Sequence, residues 1–301
     1  MNNARGNQVT ANYVIKNADQ NRSWNIAASL SKPVTRGLAV RGGFSYGESR
    51  SLVEPSSTAS SSWGSANPIV FDPNNPALAN SVNAPGKRVF LQASYSRQYF
   101  NWGATTVSAF YDARPNYINF STNVSYVFSG DANGDQVSGN DLIYIPRNTT
   151  EMNFKPLTVS GGRTYSPADQ AAAFEQYIQN DEYLSSHRGK YAERGGLFNP
   201  MVGHLDLSIT QDVFKTIGGA RHSGQIRLDI TNFNNLLNHD WGVGKRVINP
   251  QILTSPTTDA NGALTYNLQN LNGILLTTPF QTAASISDVY VMMLTFRYTF
   301  N

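Results

Sequence analysis

The chain has 301 residues, a formal net charge of +3 and no cysteine, which excludes disulfide staples, thiolate zinc sites and a cysteine nucleophile. Its 23 Lys and Arg are scattered along the chain rather than gathered into a patch, so nucleic acid is not an expected partner. Fifteen Tyr and fifteen Phe, beside abundant Gly, Asn, Ser and Thr, suit strands and turns better than helices.

The opening residues, MNNARGNQVTANY, contain no apolar core, so no secretory leader is expected there. The sequence reads either as a cytoplasmic protein or as part of a longer precursor. No later run approaches the ~20 apolar residues of a spanning helix. Apolar and polar residues instead alternate at 7–17, 22–34, 36–50, 87–98 and 102–113, the period-2 pattern of half-buried strands. Between them lies a long connection, 51–86, whose Ser/Asn/Pro-rich part at 57–81 reads as a solvated loop.

The longest connection, 114–199, carries two features. The first is SGDANGDQVSGNDLIYIP, Ser129 to Pro146. It places Asp131, Asn133 and Asp135 at positions 1, 3 and 5 of a calcium loop, but position 6 is Gln136 rather than Gly and position 12 is Leu142 rather than Glu. Asp141 comes one residue early. Asp131, Asn133, Asp135 and Asp141 thus form a candidate structural calcium set, against the alternative of an Asn/Asp/Gly turn whose side chains bond their own backbone. No other cofactor is expected. The second feature, SPADQAAAFEQYIQNDEYL, predicts one loop helix. Ser166 is its N-cap, Pro167 its first residue and Asp169 lies in the first turn, with Phe174, Tyr177 and Ile178 on one face.

Alternation returns in HLDLSITQDV, where Leu205, Leu207 and Ile209 oppose Asp206, Ser208 and Thr210. In GQIRLDITNF, Ile226, Leu228 and Ile230 oppose Gln225, Arg227, Asp229 and Thr231. After a third long connection, 238–284, the last stretch puts Tyr290, Met292, Leu294, Phe296, Tyr298 and Phe300 on one face. Val291, Met293, Thr295, Arg297 and Thr299 occupy the other. No enzyme is expected. His187, His204, His222 and His239 share no metal-binding spacing, the G-x-S-x-G string at Gly43–Gly47 lies inside the alternating 36–50 stretch rather than at a strand-to-helix elbow, and no phosphate loop occurs.

These stretches amount to about eight long amphipathic strands in an all-β, antiparallel arrangement. The tight turns KPVTRG, RQYFN and KTIGGARH alternate with the long segments 51–86, 114–199 and 238–284, so all long connections fall at one end. That is the layout of an outer-membrane barrel, with long loops outside, short turns in the periplasm and a periplasmic C-terminus. A soluble β-sandwich would have strands of ~5–6 residues and an inward face of Val, Leu and Ile. Here Trp24, Phe44, Tyr46, Phe110, Tyr111, Tyr290 and Phe300 sit near strand ends, as aromatic girdles do at a membrane interface. Bulky charges on the other face (Arg41, Arg227, Asp229, Arg297) and the long loops argue for part of a larger barrel with two unpaired edges.

Several of these stretches resemble the TonB-dependent outer-membrane transporters, specifically the Oar-like group with a carboxypeptidase-regulatory-like N-terminal domain. The pieces are NRSWNIAASLSKPVTRGLAVRGGFSYGES, SGDANGDQVSGNDLIYIP, YLSSHRGKYAERGGLFNPMVGHLDLSITQDV, IRLDITNFNNLLN and LTFRYTF, in that order. The family's last strand usually stops on its aromatic residue, whereas Asn301 follows Phe300 here. The resemblance implies the C-terminal part of a transmembrane β-barrel, without the signal peptide, TonB-contacting segment and plug that open such precursors. It implies these partners: membrane lipid, the upstream strands and plug of the same precursor, the TonB complex through that plug, and an extracellular ligand of unknown identity. The implied function is uptake of a scarce ligand into the periplasm, with 51–86, 129–165 and 238–284 as ligand-facing regions. An adhesion or export barrel of Oar type, and a soluble secreted calcium-binding β domain, are the alternative readings.

Overall fold

The computed structural model describes residues 14–117, 121–217, 219–283 and 285–300. Its framework is one antiparallel sheet containing seven long strands. They are β1 (Arg22–Thr35), β2 (Leu38–Ser51), β3 (Gly86–Tyr99), β4 (Gly103–Pro115), β5 (Met201–Ile217), β6 (Ala220–Thr231) and β7 (Val291–Phe300). Each pairs with the next in sequence, and Ala79–Asn80 adds a two-residue eighth strand beside the end of β2. The stretch at 7–17 lies mostly outside the described residues, and 14–17 carries no strand. Successive pairing follows from the short connections. At the β1–β2 turn, Arg36 and Gly37 both take positive φ, 51° and 85°, the twist that lets two strands fold back on each other. The short connections β1–β2, β3–β4 and β5–β6 share one end of the sheet; 52–85, 116–200 and 232–290 share the other. Strands β1 and β7 each have one neighbour, so the described sheet is open rather than closed into a ring.

Register sets one apolar face across all seven strands. Ile26 faces Tyr46, Leu91 lies between Gly42 and Tyr111, Ile209 between Val107 and Leu228, and Phe296 beside Ile226. Much of this face is left uncovered by the described residues, Leu30 being 83% exposed and Phe296 69%, while Ala113 and Ile230 at the long-connection end are buried. Charges on it stand near strand ends, with Glu48 and Lys87 toward the long loops and Lys32, Arg97 and Lys215 toward the turns. The half-buried amide of Gln211 on this face is satisfied: it accepts from Tyr99 Oη and Thr105 Oγ1 at 2.7 Å each and donates to the Ala104 and Asp212 carbonyls. Aromatic residues mark both ends, Trp24 edge-on to Tyr46 at 5.3 Å, and Phe100 stacked on Trp102 at 5.8 Å beside Tyr99. Phe110 departs from expectation. It neighbours Tyr111 in sequence and so points to the opposite face, in register with Gln92 and Asp206. That opposite face is polar, with Arg88 Nε 2.7 Å from Asp112, Arg227 2.8 Å from Asp229 and Gln225 Nε2 donating to Asp212 at 2.8 Å.

The hydrophobic core lies outside the sheet, in a cap built by the long connections. Tyr126, Ile143, Phe174, Tyr177, Ile178, Ile252 and Leu268 have no exposed surface, each such burial being worth ~1.5–3 kcal/mol. The predicted helix forms at Pro167–Gln179 with the Ser166–Asp169 capping box in place, and its Phe174, Tyr177 and Ile178 face enters this core. It stops at Asn180 because Asp181 caps a second short helix, Glu182–Ser186. Instead of one helix there are four among the described residues, the others being Ala59–Trp63 and Phe233–Leu237. Each added helix has five residues, too few to show a 3.6-residue period. The 57–81 stretch also differs from a solvated loop. It buries Asn67, Ile69 and Ala79, and Ile69 pairs with Asp141 across a parallel bridge.

Candidate functional site

All three long connections meet at the acidic hairpin. Its base is closed by the Gly139 N–H donating to the Gly130 carbonyl at 2.9 Å. The Ile69 N–H donates to the Asn140 carbonyl and the Leu142 N–H returns to the Ile69 carbonyl, which ties in 51–86. A Cβ added at Gly130 would strike Pro256, and one at Gly139 would strike Gln251, so the third connection packs against the same turn. Leu142, Ile143 and Ile145 then run into the cap core. The apolar end of the hairpin thus anchors among the loops themselves.

Within the hairpin the sequence-predicted ligands Asp131, Asn133, Asp135 and Asp141 each accept a hydrogen bond from the local backbone. Asp131 accepts the Gly134 N–H at 2.7 Å and the Gln136 N–H at 2.9 Å, one on each oxygen. Asn133 Oδ1 accepts the Asp135 N–H and Asp135 Oδ1 the Val137 N–H. Asp141 Oδ2 accepts the Ala132 N–H at 2.7 Å. Asx turns therefore do form, as the turn reading expects. Gln136 takes φ 69°, the left-handed conformation for which a calcium loop uses Gly at that position. Burial pushes the Asp141 carboxyl up to about 6, with Asp135 and Asp131 adding to the rise and the Ala132 and Asn133 N–H groups opposing it. Among the described residues no three His, Cys, Asp or Glu side chains stand as a ready-made metal set. Asn140, with no exposed surface, belongs to this cluster as well. Its signal in the sequence was its place beside Asp141 in GND.

Two further polar centres hold the cap together. Asp181 accepts the Tyr126 hydroxyl at 2.5 Å and the Leu184 N–H at 2.9 Å, so one carboxylate caps a helix and tethers a distant segment. Burial raises its pKa and the Tyr126 hydrogen bond opposes the rise. Arg194, 5% exposed, donates to the Leu52 carbonyl at 2.8 Å and Asn67 Oδ1 at 2.7 Å, and also to Ser51. It joins 114–199 to 51–86. Gly195 beside it has φ 61°, and a Cβ there would meet Asn123 Oδ1 and the Asn80 carbonyl. The RG pair in ERGG is thus a clamp plus a backbone turn that only glycine fits easily. Neither centre was predicted, since their partners lie far away in sequence.

At the rim, the NFNNLLN segment ties three strands. Asn232, at φ 52°, donates to the Gly242 and Asp288 carbonyls, Asn234 bonds the β5 backbone at Gly203 and Leu205, and Asn235 accepts the Tyr290 N–H. The four histidines lie apart. His187 contacts the Tyr183 carbonyl, His204 the Gly242 carbonyl, His222 the Tyr298 hydroxyl, and His239 is exposed beside Asp240. Comparison with known family models gives no match, and neither curated proteins nor solved structures yield one.

Proposed function

We propose that this chain forms part of the wall and the outward cap of an outer-membrane β-barrel of the TonB-dependent transporter type. The precursor would take a scarce ligand into the periplasm, and the role is non-catalytic. The observation that carries the reading is the unbroken apolar face across seven antiparallel strands, with its charges held near strand ends. Water disfavours such a surface by ~25 cal/mol per Å², and soluble monomers keep contiguous apolar patches to a few hundred Å². Acyl chains match it. Strands of 10 to 17 residues meet or exceed the ~9–11 needed to cross a bilayer, and no described helix is long and apolar enough to do so. The free edges of β1 and β7 need partners, because each unsatisfied backbone group in lipid costs several kcal/mol. Upstream strands of the same precursor fit that need. In this reading the cap faces outward, ligand contacts come from 51–86, 129–165, 238–284 and the upper polar wall, and Phe300 lies on the periplasmic side.

Membrane partition and gel mobility test the proposal. The barrel requires detergent for solubility and, once its missing strands are supplied, runs at different mobility before and after heating. A chain that is monomeric and soluble without detergent overturns the membrane reading and favours a secreted β domain. Uptake and adhesion separate in the upstream gene: an encoded plug and TonB-contacting segment fit uptake, and their absence fits an adhesion or export barrel.

A further inference from the structure

We propose that the hairpin Asp131–Asp141 is a calcium site that locks the three long connections together, with side-chain oxygens from Asp131, Asn133, Asp135, Asn140 and Asp141. The inference is independent of the membrane reading. Spacing of the acids alone would not carry it, since the same residues make Asx turns. The added observation is an unpartnered buried oxygen on Asp141, whose carboxylate reaches into the hairpin to the Ala132 N–H, and another on its neighbour Asn140. Asp141 is 2% exposed and Asn140 has no exposed surface, yet no hydrogen-bond donor among the described residues reaches Asp141 Oδ1 or Asn140 Oδ1. A buried carboxylate oxygen without a partner is strongly unfavourable, and a hard cation is a partner that satisfies it.

The amides point the same way. Asn133 Nδ2 and Asn140 Nδ2 stand 3.2 and 3.4 Å from the same oxygen, Asp135 Oδ2. Both are long for charge-assisted bonds, which run nearer ~2.7–2.9 Å. Asn133 Oδ1 already accepts the Asp135 N–H, so its amide is fixed. Turning the Asn140 amide over exchanges its nitrogen for its unpartnered oxygen, and such orientations follow from the surrounding network. With a cation beside Asp135 the Asn140 oxygen turns inward. Asp131 and Asp141 keep their backbone hydrogen bonds meanwhile, since each carboxylate oxygen has lone pairs to spare. An all-oxygen set of this size, with no nitrogen ligand, suits Ca²⁺.

The test uses the full chain, in detergent micelles if it needs them and in plain buffer if it does not, so the calcium result reads the same whichever holds. EDTA-stripped protein is titrated with CaCl₂ by calorimetry and melted with and without Ca²⁺, beside D135N and D141N. Asn keeps the size and one oxygen while removing the charge and the second acceptor oxygen. We expect wild-type binding with Kd of about 10⁻⁴–10⁻³ M, the range of extracellular calcium modules, weakened at least about tenfold in each variant. Without Ca²⁺, D141N should melt at or above wild type, because it discharges a buried carboxylate. With millimolar Ca²⁺ the order should reverse, a crossover that a plain turn cannot give. No binding heat in wild type, or equal binding and equal melting shifts in wild type and both variants, would overturn the site.

Discussion

At the scale of single residues, the cap depends on a few buried polar groups whose partners are remote in sequence. Arg194 holds carbonyl and side-chain oxygens of Ser51, Leu52 and Asn67, and burial pulls its pKa down. Its planar fork serves several acceptors at once, which a lysine ammonium cannot match. Arg194→Lys should therefore destabilise the cap by about 2–4 kcal/mol, read as a lowered midpoint in denaturant titration; an unchanged midpoint would refute the clamp. Tyr126→Phe removes the hydroxyl from Asp181 and leaves a buried carboxylate short of a donor, costing about 1–3 kcal/mol. Asp181→Asn on that background should recover part of the loss. Little of this was legible beforehand. The Tyr126–Asp181 bond spans 55 residues and the Arg194–Ser51 contacts 143, and period-based reading sees only neighbours. The acidic hairpin was legible as residue types, because Asp131, Asn133, Asp135 and Asp141 sit close in sequence. The burial of Asn140 and Asp141 was not, since it is produced by Ile69 and the third long connection.

Among elements, the helix Pro167–Gln179 shows what local sequence can specify. Ser166, Pro167 and Asp169 write its start within four residues, and the structure keeps all three roles. Its docking is written elsewhere. Gln170 accepts the Leu268 N–H and donates to the Lys155 carbonyl, and Glu175 pairs with Arg188 at 2.6 Å. Arg188 holds the Glu175 carboxyl below its usual 4.5, with help from Gln179. A depressed folded pKa contributes stability above the unfolded value that is lost as pH falls through the folded one. The helix should thus loosen below about pH 4.5, by roughly 0.5–1 kcal/mol for a partly exposed pair. Glu175→Gln should weaken the cap at pH 7 and remove that part of its acid sensitivity. Hydrogen exchange of helix amides at pH 7 and pH 3.5 measures both; equal acid response in wild type and variant would contradict the pairing. The long strands were legible for the same local reason, a strict two-residue alternation. The miscounts fell on short pieces: Ala79–Asn80 is held by its pairing with β2, and each five-residue helix is too short to show a period.

Over the whole molecule, the sheet and the cap divide the ordinary tasks of a folded chain. The cap holds the core, while the sheet exposes an apolar face on one side and a hydrogen-bonded polar face on the other. The two faces alternate residue by residue, and the membrane reading depends on that alternation being read by lipid. The absence of cysteine makes the central claim directly measurable along β6, which is paired on both sides. Single cysteines are placed at Gln225, Ile226, Arg227, Leu228 and Asp229 in the chain assembled with its upstream strands in lipid. A membrane-impermeant maleimide is then applied with the polar side open to water. Cysteines at 225, 227 and 229 should label, and those at 226 and 228 should stay shielded until detergent replaces the lipid. Equal labelling of both faces, or shielding that does not alternate, would contradict the barrel wall.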